Sequence, residues 1–91
     1  MSLRRIRARV TGRVQGVGFR YFTWSVGRNL DLVGYVRNEP DGVVLVEAEG
    51  PADSIAQLLL QVQRGPANAR VERTEVEELA PVGGRGVFEV G

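Results

Sequence analysis

The sequence predicts an α/β chain of the α+β type, in the order β-α-β-β-α-β with a short extra C-terminal strand. Three observations carry this. Apolar residues alternate with arginine from Ile6 to Val14. Apolar spacings of three and four recur twice, over about residues 19–30 and from Ile55 to Val62. A Pro-Asp-Gly turn within "EPDG" (39–42) separates two β-rich runs. With 91 residues the whole chain, 1–91, is expected to be one domain.

The first strand sets Ile6, Ala8, Val10, Gly12 and Val14 on one face, and Arg5, Arg7, Arg9, Thr11 and Arg13 on the other. That is a strand with one side buried. A glycine-rich loop, "GRVQGVGFR" at 12–20, leads into a helix from about Phe19 to Leu30. Its apolar face is read from Phe19, Phe22, Val26 and Leu30, and Asn29 and Asp31 suit its end. "LVGYVRN" (32–38) and "VVLVEAE" (43–49) form a hairpin across the turn.

Pro51 suits the first position of a second helix whose face is Ile55, Leu58, Leu59 and Val62, with Gly65-Pro66 as its stop. Residues 69–78 read as a polar strand. Val71 and Val76 differ in parity there, so either a bulge intervenes or the strand ends near Glu75. After Pro81, Gly83 and Gly84, "GVFEV" is a short terminal edge strand.

This order has a functional consequence. A right-handed crossover makes the first two strands parallel, with room for another between them. Their C-terminal ends then share one edge of the sheet. The loop at 14–19, Arg20 and the pair Arg37-Asn38 are therefore expected to converge.

Composition removes several chemistries. The chain has no cysteine and no histidine, so disulfides, thiolate nucleophiles and imidazole bases are absent. No metal site and no cofactor are expected. All 12 cations are arginine, a residue that binds oxyanions through a planar fork. The bias is attributed to genomic base composition, with thermostability as a secondary expectation. A net charge of +1 gives little support to a nucleic-acid binder. No apolar run is long enough to span a bilayer. The basic start, "MSLRRIRARV", lacks the apolar core of a signal peptide, so a cytoplasmic protein is expected.

The loop does not match known nucleotide loops. Gly18 is followed by Phe19-Arg20 rather than Lys-Ser/Thr, and position 21 is Tyr rather than a third glycine. Its physics still favours an anion over a plain tight turn. Gly16 and Gly18 let successive N–H groups point inward, at the start of a helix whose dipole attracts negative charge. Arg20 in the first turn has the wrong sign for that dipole unless an anion sits between them.

"VTGRVQGVGFR" (10–20) and "GYVRNEPDGVV" (34–44) together resemble the two signatures of the acylphosphatase family. The pattern Gly-x-Val-Gln-Gly-Val-x-Phe-Arg is complete. Gly34, Tyr35, Arg37, Asn38, Asp41 and Gly42 fill the second motif. The resemblance covers nearly the whole chain. It implies a ferredoxin-like βαββαβ sandwich, an antiparallel sheet with two helices on one face. It also implies metal-independent hydrolysis of acyl phosphates to a carboxylate and inorganic phosphate. By position, Arg20 would bind the phosphoryl group and Asn38 would orient water. The backbone N–H groups of Gln15, Gly16, Val17, Gly18, Phe19 and Arg20 would form the cradle. Position 35 is Tyr where the family often has Trp, and Glu39 sets an acid beside Asn38.

The expected partners are a small acyl phosphate and inorganic phosphate as product and inhibitor, with no nucleic acid and no membrane. A chain of 91 residues opening on Met is expected to be a stand-alone monomer rather than a domain of a larger carbamoyl-phosphate-handling protein. The alternative is a non-catalytic anion or nucleic-acid binding module on the same fold. For that, Arg5, Arg7, Arg9 and Arg13 would offer a basic sheet face. The face exposes no aromatic residue on the first or third strand for base stacking, and pairing with Glu47, Glu49, Glu72 or Glu75 is the expected use. Phe19 and Trp24 are expected to pack rather than to bind. Glu75, Glu77 and Glu78 are read as a solvated face, and Asp41-Gly42 as a turn.

Overall fold

Alternation of apolar residues with arginine produces β1, Leu3–Arg13, which begins three residues earlier than the pattern suggests because Leu3 pairs with Pro51. The computed structural model describes residues 2–91. The elements that follow are α1 (Phe19–Asn29), β2 (Val33–Asn38), β3 (Val44–Pro51), α2 (Ala52–Arg64), β4 (Arg70–Leu79) and β5 (Phe88–Val90). The sheet order is β4-β1-β3-β2-β5. β3 lies between β1 and β2 and is antiparallel to both, so β1 and β2 run the same way and end at one edge.

Helix α1 packs over β2 and β5, and α2 over β1, β3 and β4. Between helices and sheet lie Ile6, Ala8, Val10, Val36, Val44, Val46 and Ala48 from the strands, with Ile55, Leu58 and Val62 from α2. β3 is buried on both faces. Glu47 and Glu49 on its helix-free side are buried nearly as fully as the core valines.

Several elements differ in detail from the sequence expectation. The sheet is mixed, because β5 is parallel to β2. β4 does not stop near Glu75 but continues to Leu79. The parity change is resolved by a bulge. Thr11 pairs with Arg73 and Gly12 with Val71, so Glu72 is the extra residue. Gly12 has φ +124°, and a Cβ there would stand 2.2 Å from the Arg70 carbonyl oxygen. Pro51 caps α2 from outside rather than filling its first turn.

The buried line of α1 is Phe19, Thr23 and Gly27, with Phe22, Val26 and Leu30 only half-buried beside it. Gly27 sits at the centre because the Phe88 ring of β5 fills the space its side chain would take. A Cβ there would be 2.6 Å from the ring.

Candidate active site

The loop between β1 and α1 takes its shape from two glycines in the left-handed region, Gly16 at φ +72° and Gly18 at φ +82°. An L side chain is disfavoured in that conformation, which is why these positions are glycine. Gly18 is the N-cap of α1, and no side chain caps the helix. The Phe22 N–H donates to the Gly18 carbonyl (3.0 Å), so the N–H groups of Phe19, Arg20 and Tyr21 have no intrahelical acceptor. The first turn carries no acidic residue to answer the dipole. The sequence thus leaves a positive helix end uncapped.

A cavity of about 200 Å³ opens at this end. Val14, Gly16, Gly18 and Phe19 line it from the loop, Arg20 and Tyr21 from the first turn of α1, and Asn38 from the end of β2. Of the residues expected at the site, the structure brings Gly16, Gly18, Phe19, Arg20 and Asn38 to this wall. Gln15 and Val17 belong to the loop but are not among the lining residues. Arg37 does not converge with them. It bonds Glu39 through Nε (3.1 Å) and lies over the Tyr35 ring (5.2 Å). That pairing occupies the Glu39 carboxylate, so the acid next to Asn38 is partly neutralised.

Arg20 has a partner the sequence reading did not foresee. Its Nη1 donates to the Gly91 oxygen. Gly91 is itself fixed by its N–H to the Val36 carbonyl (2.8 Å), at the end of the β2–β5 ladder. The guanidinium is thereby oriented from behind, and its Nε and Nη2 have no protein partner among the described residues. The Asn38 amide likewise makes no bond to protein among them.

On the helix-free face three arginines of β1 are occupied. Arg5 binds Glu47 and also Glu49 (3.1 Å), Arg7 binds Glu47 (3.0 Å), and Arg9 binds Asp41 (2.9 Å). Glu72 and Glu75 are not their partners, and Arg13 makes no ion pair among the described residues. Burial pushes the Glu47 carboxyl up, but bonds from Arg5, Arg7 and the Tyr35 hydroxyl outweigh it and hold it below its usual range. The Val82 N–H holds Glu49 down, aided by Arg5 and the Gly83 N–H. Phe19 is buried and Trp24 packs against the core, as expected. Asp41 shapes the turn by accepting from the Val43 N–H (3.2 Å), the bond that most lowers its own pKa.

The family model for acylphosphatase matches residues 6–90. The chain belongs to the acylphosphatase family. Among curated acylphosphatases, that of Salinibacter ruber is 55% identical over 74 residues, covering 81% of this chain and 78% of its own. The acylphosphatase of Oceanobacillus iheyensis is 49% identical over 79 residues, covering 86% and 87%. The crystal structure of acylphosphatase from Bacillus subtilis superposes with a TM-score of 0.92 at 36% identity, over 99% of both chains. Fold and relatives agree on an acylphosphatase hydrolase with a ferredoxin-like sandwich.

One acylphosphatase signature residue contributes more than the sequence suggested. Gln15 was expected to serve through its backbone N–H. Its side-chain amide also reaches the turn between β2 and β3, donating to the Glu39 (2.8 Å) and Val43 (3.1 Å) carbonyls. A glutamine at a fixed place in a loop otherwise made of glycine and valine was the available signal.

Proposed function

We propose that the cavity holds the phosphoryl group of an acyl phosphate, with Arg20 and the loop N–H groups as its cradle and Asn38 as the residue that orients water. The uncapped start of α1 and the two left-handed glycines before it suit the dianion. The free Nε and Nη2 of Arg20 form one edge of the planar fork that matches two phosphate oxygens. The observation that carries this reading is the shared wall. Arg20, Asn38 and the two left-handed glycines, from three separate segments, line one cavity.

The water oxygen attacks phosphorus as the bond from phosphorus to the acyl oxygen breaks. The carboxylate leaves with the bonding electron pair. Both water protons end on the phosphate, so a dianionic substrate gives a carboxylate anion and a singly charged phosphate. A carboxylic acid has a pKa of about 4, so its anion departs without a general acid. The transition state is loose, and catalysis rests on positioning and charge stabilisation. No carboxylate, imidazole or thiol lines the cavity, which suits a reaction without a resident metal. Inorganic phosphate, the product, competes for the same cradle.

We further assign the protein as a single-domain, monomeric, cytoplasmic enzyme that does not engage nucleic acid. The pairing of Arg5, Arg7 and Arg9 with acids supports the last point.

The test is hydrolysis of benzoyl phosphate with chelator present, by wild type, Arg20→Ala and Asn38→Ala. Fast wild-type turnover that both substitutions abolish is expected. Turnover retained by Arg20→Ala would overturn the assignment.

A further inference from the structure

Beyond the proposed phosphate cradle, the described residues offer a substrate in this cavity only one exposed apolar side chain. Val14 and Phe19 line it but are each 1% exposed, with their side chains committed to the core. Gly16 and Gly18 have no side chain to offer. Arg20 and Asn38 present polar groups. Tyr21, in contrast, is 59% exposed on the first turn of α1. Its ring is also held in place. The Arg20 guanidinium carbon lies 5.7 Å from its centroid. The Trp24 ring meets it edge to face at 6.5 Å and 81°. An exposed tyrosine fixed by two neighbours loses little freedom when a ligand packs on it.

We infer that Tyr21 is a specificity-determining residue, the surface against which the acyl group of the substrate lies, and that it favours aromatic over small aliphatic acyl phosphates. The inference rests on the assignment of Arg20 and Asn38 proposed above. In-line displacement places the leaving oxygen on the side of phosphorus away from the attacking water. Water held at Asn38, on the β2 side, sends the acyl group out along the first turn of α1, where Tyr21 stands. A flat acyl group gains an offset or edge-on contact with the ring, and a methyl group gains little of it.

The experiment measures kcat/KM for benzoyl phosphate and acetyl phosphate in wild type, Tyr21→Ala and Tyr21→Phe, with the inhibition constant of inorganic phosphate for each. Tyr21→Ala should lower the benzoyl-to-acetyl ratio of kcat/KM by roughly three- to tenfold. Tyr21→Phe should keep the wild-type ratio, because the ring and not the hydroxyl makes the contact. A ratio unmoved by Tyr21→Ala overturns the inference. So does a phosphate inhibition constant raised in step with KM, which would mean that Tyr21 only steadies Arg20. Failure of the underlying site assignment reads differently. In that case Arg20→Ala hydrolyses both substrates at the wild-type rate, whatever the Tyr21 variants do.

Discussion

The Gln15 side-chain amide donates to the carbonyl oxygen of Glu39 at 2.8 Å, tying the loop after β1 to the turn after β2. The first segment carries the proposed cradle and the second adjoins Asn38, so one side chain sets the spacing across the cavity. Gln15→Leu keeps the bulk and removes the bonds. The carbonyls of Glu39 and Val43 lose their shared donor. Each carbonyl keeps a backbone donor, Gly42 N–H for Glu39 and Glu39 N–H for Val43, so the expected cost is about 0.5–1.5 kcal/mol of stability, with a fall in kcat/KM as loop and turn drift apart. Thermal melts with steady-state kinetics check both. Intact kcat/KM in a destabilised variant would confine Gln15 to stability.

Arg20 and Asn38 should fail in different ways. Arg20→Lys replaces a two-pronged edge by a point charge, so phosphate binding should weaken by roughly ten- to a hundredfold. Asn38→Ala should lower kcat far more than it lowers phosphate affinity. Titration calorimetry with inorganic phosphate beside kinetics separates the two. Comparable losses of kcat and phosphate affinity in Asn38→Ala would remove its role in orienting water.

Gly27 is the position where a single methyl should do most harm to the layer between α1 and β5. Alanine improves helix propensity by about 1 kcal/mol. Against that, the methyl group would meet the buried Phe88 ring at 2.6 Å, and such overpacking costs about 1–3 kcal/mol. We expect net destabilisation, with Tm falling by about 4–8 °C for each kcal/mol lost. An unchanged or raised Tm would show that β5 yields without strain.

Glu49 ties folding stability to pH. Its carboxyl titrates below its ordinary range in the folded protein, held there by the Val82 N–H first and by Arg5 and the Gly83 N–H. The unfolded chain takes up that proton near pH ~4.3, and the folded chain only at lower pH. The contribution is therefore complete above the unfolded pKa and is lost as pH falls through the folded one. The Tm gap between wild type and Glu49→Gln should be widest near neutrality and should close on acidification toward the folded pKa. A gap that stays constant with pH would mean that the charge contributes nothing.

The elements were legible where side-chain type alone reports the environment. Ile6, Ala8 and Val10 in β1, and Ile55, Leu58 and Val62 in α2, face the core as their spacing indicates. The reading of α1 was off-centre for a physical reason. Phe19 is buried as its type indicates, but the other two buried residues are Thr23 and Gly27, and neither is apolar by type. Burial at Gly27 is decided by an aromatic ring 61 positions away in sequence, and no local pattern carries that. The bulge at Glu72 was visible as a parity conflict between Val71 and Val76. Its placement needed the register with β1.

At the site, convergence of the loop, Arg20 and Asn38 followed from strand order, because β1 and β2 end on one edge. The departure of Arg37 to the opposite face follows from strand alternation, since it adjoins Asn38. The Gly91 bond to Arg20 was not legible. It depends on β5 joining β2 in parallel, and a three-residue strand has too few side chains to announce its direction.

The bond from Arg20 to Gly91 joins residues 71 positions apart. A contact of that separation closes a loop nearly as long as the molecule, and such closures come late in folding. The glycine turn and the first helix can take shape early from neighbouring residues. The guanidinium has no fixed bearing until the chain has crossed the sheet and β5 has docked beside β2. Completion of the proposed anion site therefore lags behind the appearance of secondary structure, and a nascent or partly refolded chain is a folded scaffold in which Arg20 is not yet oriented.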